Sequence, residues 1–255
     1  VPSVTTVLAV IGKPALISWA ANMERELVLR AAGDAYEAIG TAGVSRTSFD
    51  AHVLTELTNT RGHQRQKETA SAIGTLVHAR IEWELRSKLA GKKLPKEPKI
   101  PEQQVDPKTR EITVHPALVA YEAYTAWRKD VNFKPRAIEQ RVWSRKYGYA
   151  GTMDVEGLVR DVPTLLDWKS SKAIYDEALL QNAAYRQAWI EMGHGAAPLH
   201  GLIVKLPKNP DDPGFETRDV PWEMQDELFV VFRAARHLWV WQRKMYERWK
   251  EANGR

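Results

Sequence analysis

From Thr69 onward, Ile73, Val77, Ile81, Leu85 and Leu89 recur every four residues and lay one apolar stripe along a long predicted helix. Upstream, Ser3 to Thr6 offer hydroxyl caps for a first helix, and Pro14 to Ala32 reads as a second, broken near Gly33. The stretch 45–70 is polar and basic, with Arg46, Arg61, His63, Arg65 and Lys67, and a helix is predicted around 47–58. Gly91 to Pro116 is rich in Lys, Pro and Glu and has no helical period, which predicts a long exposed loop. Ala117 to Asp130 reads as a short helix carrying Tyr121, Tyr124 and Trp127.

The pattern then turns to strands. Ala137–Tyr147, Gly151–Arg160 and Pro163–Ser170 read as three successive strands joined by turns at Tyr147–Ala150 and Asp161–Pro163. A helix from Tyr175 to Met192 stops at Gly193, Leu199–Leu206 is a fourth strand, and Gly214–Val220 a fifth. A long amphipathic helix, Pro221 to about Ala252, follows. This order predicts an α/β fold, a mixed central sheet flanked by helices. No internal repeat or low-complexity tract interrupts it.

Length and composition narrow the options only slightly. At 255 residues the chain is long enough for one large domain or two small ones. The absence of cysteine excludes disulfides, cysteine-based zinc sites, iron–sulfur clusters and cysteine nucleophiles, and fits a reducing cytosol. No apolar run reaches the ~18–20 residues a bilayer demands, so no membrane partner is expected. No secretory signal is expected either, since a basic start and a small-residue cleavage pattern are missing. Val1 is not a methionine, which leaves room for a short leader removed ahead of it. A net charge of +5 favours a polyanionic partner modestly. Ten tryptophans would suit base stacking, yet most are expected to be packing residues.

Chemistry concentrates in residues 151–171, GTMDVEGLVRDVPTLLDWKSS. Side chains alternate along a strand, so Asp167 and Lys169 share one face while Leu166 and Trp168 take the other. Leu165 shares the face of Asp167 but lies deeper in the core. Charges at the end of an apolar strand need a reason, because desolvating them without partners is costly. In an antiparallel hairpin Asp154 can lie beside Asp167. Two adjacent carboxylates repel, and a hard divalent cation relieves that repulsion. Such an ion polarises phosphate oxygens and acidifies bound water, with Lys169 placed to orient the attacking water or neutralise developing charge.

The ordered set Asp154…Asp167-Trp168-Lys169 resembles the PD-(D/E)XK nuclease superfamily, in its RecB-like exonuclease branch. Gly74-Thr75-Leu76-Val77-His78 is similar to that branch's G-T-x-x-H helix, and Gln181-Asn182-Ala183-Ala184-Tyr185 to its Q-x-x-x-Y helix. Glu139 sits where many relatives carry a glutamate. The opening PSVTTVL and the phrase DWKSS look closest to phage exonucleases and the mitochondrial genome maintenance exonuclease. Relatives with a four-cysteine iron–sulfur cluster are excluded by composition. The likeness spans roughly residues 70–206; the flanks, 1–68 and 207–255, rest on looser similarity.

The resemblance implies a PD-(D/E)XK restriction-endonuclease-like core within a single nuclease domain covering 1–255. The N-terminal helices and the helix at 221–252 would wrap that core. It further implies a DNA exonuclease that releases 5′-phosphate products and uses one or two Mg²⁺ or Mn²⁺ ions. Asp154, Asp167 and Lys169 would be catalytic, and His78, Asp154, Asp167 and the Trp168 carbonyl would hold metal. Gln181 and Tyr185 would contact DNA, single-stranded or presenting an end, with Arg61, Arg65 and Lys67 at its entrance. Glu139 and Glu82 are further active-site candidates. The compartment implied is cytoplasmic, the bacterial host cytosol for a phage protein, ahead of the mitochondrion.

Plainer readings stand beside these. Asp167 and Lys169 can be an ion pair on an edge strand, and Asp154 a turn residue. His78 and Glu82 have the spacing of a solvated helix pair. Tyr185 can simply pack, Glu139 can face solvent, and Arg61, Arg65 and Lys67 can belong to a solvated loop. Two rival functions remain: a structure-specific or nicking endonuclease on the same core, and a non-catalytic DNA-binding module.

Overall fold

In this computed structural model residues 1–12, 14–39, 50–51, 62–89, 94–106, 111–195, 199–212 and 214–254 are described. In chain order the elements are α1 (Val4–Leu8), α2 (Pro14–Ile39), α3 (Gly62–Leu89), β1 (Gln103–Val105), β2 (Ile112–Val114) and α4 (Pro116–Asp130). They continue with β3 (Phe133–Ser144), β4 (Tyr149–Val159), β5 (Val162–Lys169), α5 (Asp176–Glu191), β6 (His200–Lys205), β7 (Glu216–Val220) and α6 (Trp222–Ala252). The chain divides into two units, Val1–Ile11 with Gly74–Arg255, and Gly12–Ile73. The second holds α2 and the start of α3, with Ala31 buried.

The first unit is an α/β fold around a mixed five-stranded sheet of order β3-β4-β5-β6-β7. Short turns make β3, β4 and β5 an antiparallel meander, the β4–β5 turn using positive φ at Arg160 (49°) and Asp161 (65°). The connection through α5 returns the chain parallel to β5, and β7 closes the sheet antiparallel to β6. No helix among the described residues is long and apolar enough to cross a membrane.

β5 is the strand covered on both sides. Leu165 joins a core with Val4, Val7 and Leu8 of α1, Ala183, Ala184 and Ala188 of α5, and Phe229, Phe232 and Ala235 of α6. On the other face Trp168 packs edge-on against Tyr124 (5.3 Å between centroids) and Trp127 (5.0 Å) of α4. Burying aromatic surface on one side and aliphatic surface on the other fixes the strand whose end carries Asp167 and Lys169. α1 is held by its own cap, Ser3 Oγ accepting from the Thr6 amide at 3.0 Å, and by the Ala150 amide donating to Pro2.

Several expectations need correcting. α2 runs through Gly33, since one glycine costs a helix only about 1 kcal/mol relative to alanine. α3 starts at Gly62, well before Thr69; Val77, Ile81 and Leu85 of its stripe are buried, whereas Leu89 is exposed. The helix expected at 47–58 falls outside the described residues except for 50–51. The loop at 91–116 contains a small antiparallel hairpin, β1 with β2, whose Val105, Ile112 and Val114 face solvent. β3 begins at Phe133 because it is an edge strand, where Pro135 is tolerated beside a register shift. α6 buries Gln225, Phe229, Phe232 and Ala235, and no described residue beyond Ala235 is buried. Trp127, Trp168 and Trp189 are core residues, while Trp143, Trp222, Trp241 and Trp249 are exposed.

α3 and α4 are tied by Glu84, which accepts from Tyr121 Oη (2.6 Å), Lys88 Nζ (2.8 Å) and Arg128. Burial pushes the Glu84 carboxyl up, but Lys88, Tyr121 and Arg128 outweigh it and hold it below its ordinary 4.5. A depressed carboxyl contributes stability that is complete above the unfolded value and vanishes as pH falls through the folded one. The stability advantage of wild type over Glu84→Gln is therefore expected in full above about pH 4.5 and to shrink below it. Urea unfolding midpoints taken from neutral pH downward check this, and a pH-independent difference refutes it.

Candidate metal centre

The β4–β5 register aligns Val155 with Leu166, so Asp154 and Asp167 are the next facing pair, where the ladder ends. There Asp154 turns onto the backbone: its Oδ2 accepts the Trp168 amide at 2.8 Å. Asp167 points into the protein with a relative exposure of 1%. Its partner is Lys169, with Nζ 2.6 Å from Oδ2. Neither Asp167 oxygen has a hydrogen bond of good geometry. Burial pushes the Asp167 carboxyl up and Asp154 adds to that, while Lys169 opposes it. Burial disfavours the Lys169 ammonium, yet Asp167 and Asp154 prevail and raise its pKa.

Lys169 is held from its other side by α5. Its Nζ donates to Gln181 Oε1 at 3.0 Å, and Gln181 Nε2 donates to Tyr185 Oη at 3.1 Å. The i, i+4 spacing places both α5 side chains on one helix face. Tyr185 is buried and lies over Gly151, where a Cβ would come within 2.5 Å of its ring. The ring packs in the core and its hydroxyl accepts from Gln181.

His78 comes from α3. Gly74, one turn earlier, lets that helix approach the end of β5, since a Cβ there would sit 2.9 Å from Ser170 Oγ. His78 Nε2 lies 3.1 Å from the Trp168 carbonyl, and Nδ1 lies 3.6 Å from Asp154 Oδ2. A carbonyl only accepts, so in the neutral ring Nε2 carries the proton and Nδ1 turns its lone pair toward Asp154. The Trp168 carbonyl, expected among the metal ligands, has this imidazole as its partner and keeps its second lone pair.

Glu139 completes the group. Ligand atoms of His78, Glu139 and Asp154 all lie within 4.8 Å of one another, the one such cluster among the described residues, and Asp167 falls outside it. Glu139 has a φ of 47°, a left-handed conformation costing a non-glycine residue on the order of 1–3 kcal/mol. The sheet shows why. Gly151 faces Tyr185 and Met153 belongs to the α5-side core, yet Glu156, paired with Leu165, faces that same side. Odd and even residues cannot share a side of a regular strand, so alternation reverses between Met153 and Glu156. β3 reverses at the same level: the register passes over Glu139 and Asp154 together, between Ile138↔Val155 and Gln140↔Met153. Burial first, then Asp154 and Glu82, push the Glu139 carboxyl up to about 7.

The remaining candidates are less central. Glu82 pairs with Arg86 (2.7 Å), so the His78–Glu82 contact suggested by spacing is not made. Lys67 is exposed on α3. Arg61 lies outside the described residues, as does the side chain of Arg65. Sequence reasoning missed Arg86, which donates from Nη2 to the Ile138 carbonyl at 3.0 Å; a lone basic residue on a helix carries no signal of such a bond. Compared with protein-family models and with curated proteins, the chain matches none.

Gly151→Ala is expected to lose about 1–3 kcal/mol by forcing the buried Tyr185 ring aside. Chemical denaturation measures the loss. An alanine variant as stable as wild type would show that the ring is not confined.

Proposed function

We propose that the chain is a divalent-metal-dependent deoxyribonuclease with a PD-(D/E)XK core, acting as an exonuclease on DNA. The observation that carries this reading is one convergence: carboxylates from β3, β4 and β5, an imidazole from α3 and an ammonium from β5 come together beside the end of β5. Desolvating so many acids together is unfavourable unless they serve a cation. The donor set fits Mg²⁺ or Mn²⁺, being oxygen-rich with one imidazole and no thiolate. Asp154, Glu139 and His78 would hold it, with Asp167 and the Trp168 carbonyl alongside. Bound there, the ion would polarise a phosphate oxygen and lower the pKa of a water.

The protein's own groups supply the rest. Lys169, held between Asp167 and Gln181, offers a preorganised cation for charge developing on a phosphate. Gln181 and Tyr185 keep it in place, and the aromatic cluster behind Trp168 keeps the strand in place. Binding without base readout would come from basic groups such as Lys67 along the backbone and from stacking on exposed aromatics.

Asp154→Ala, Asp167→Ala and Lys169→Ala are each expected to lower Mg²⁺-dependent DNA cleavage by at least about 100-fold. An oligonucleotide assay with 5′ and 3′ labels, on single and double strands, with Mg²⁺, Mn²⁺ or EDTA, measures this. Near-wild-type cleavage by the Asp167 or Lys169 variant would sink the assignment. A closed circular substrate should survive; its cutting would favour an endonuclease, and metal-independent binding without turnover a DNA-binding module.

A further inference from the structure

Glu139 reaches the metal centre through a backbone conformation that an extended strand does not supply. Left to itself, a glutamate in β3 would relax to negative φ and re-aim its carboxylate. Something must hold the peptide that enters it. The group in contact with that peptide is Arg86 of α3, whose Nη2 donates to the Ile138 carbonyl at 3.0 Å. Its Nε donates to Glu82 Oε1 at 2.7 Å. A planar guanidinium with two of its nitrogens engaged has little freedom to rotate, so it fixes the 138–139 peptide against the helix that also carries His78.

We propose that Arg86 is a positioning residue: by gripping the Ile138 carbonyl it keeps Glu139 left-handed and its carboxylate on His78 and Asp154. This inference rests on the metal-centre reading above. It adds a residue that touches none of the three ligand side chains through any bond described here, and it gives Glu82 a task, that of orienting the guanidinium. Lysine cannot substitute fully, because donors radiating from a single nitrogen cannot span two acceptors at fixed angles. A different role is open to a half-exposed arginine near such a site, contact with a DNA phosphate. That role weakens DNA binding and leaves metal affinity unchanged.

The test is Mn²⁺ binding to the full chain without DNA, followed by the electron paramagnetic resonance signal of unbound Mn²⁺. The proteins compared are wild type, Arg86→Ala, Arg86→Lys, Glu139→Gln and the Arg86→Ala/Glu139→Gln double variant. Arg86→Ala is expected to weaken Mn²⁺ binding about 10- to 100-fold, as loss of a group supporting a ligand commonly does. Lysine should recover only part of it. In the Glu139→Gln background, removing Arg86 should make no further difference. If wild type binds Mn²⁺ and Arg86→Ala binds it equally well, the proposal is overturned while the metal centre stands. Additive losses in the double variant, or full recovery by lysine, overturn it too. Should the alanine variant not fold, the lysine variant carries the same comparison. Wild type without measurable Mn²⁺ binding overturns the metal centre itself and this proposal with it.

Discussion

A carboxylate with almost no access to water, answered by a single ammonium, sets the terms for the rest of this molecule. Taking Asp167 and Lys169 out of solvent costs several kcal/mol per ion unless geometry and further partners repay it. The surroundings are built accordingly. Gln181 receives the Lys169 ammonium, Tyr185 braces Gln181, and Gly151 makes room for Tyr185. Each link serves the one before it, from the end of β5 along one face of α5 to β4. On the opposite face Trp168, wedged among Tyr124, Trp127 and Phe133, keeps the strand from shifting and exposing the pair.

Around that pair the sheet departs from its own rules. A regular β3–β4 ladder would carry one unbroken alternation, with Glu139 and Asp154 as the facing pair between Ile138↔Val155 and Gln140↔Met153. The reversal between Met153 and Glu156, matched by the left-handed Glu139, redirects two acidic side chains at once. Backbone strain here has a chemical counterpart, a cluster of donor atoms with a shared centre.

Much of this was legible from residue patterns. The period-two stretches located β4 and β5 within a residue or two, and alternation alone put Asp167 and Lys169 on one face with Trp168 on the other. The four-residue stripe of α3 placed His78 on the correct helix, and the spacing of Gln181 and Tyr185 put them on one face of α5. What patterns could not carry was anything set by register or by close approach. Glu139 reads as an ordinary strand glutamate until its partner strand is known. Gly151 reads as the first residue of a strand until a ring is found above it. Arg86 resembles any solvated helix residue, because its acceptor is a backbone carbonyl some fifty positions away. The strand expected from Ala137 begins earlier, at Phe133, since the edge of a sheet tolerates Pro135.

The last helix carries a consequence of a different kind. Its last buried residue is Ala235, and past the bond from Arg236 to the Gly148 carbonyl the helix runs on to Ala252 without one buried side chain. An isolated helix of that length is marginal in water because starting it is unfavourable. Here the anchored turns act as the nucleus, and Trp241, Tyr246 and Trp249 ride on a rod whose order is borrowed from Phe229 and Phe232. Loosening those two phenylalanines would therefore unwind a surface remote from them, besides opening the core they share with Leu165.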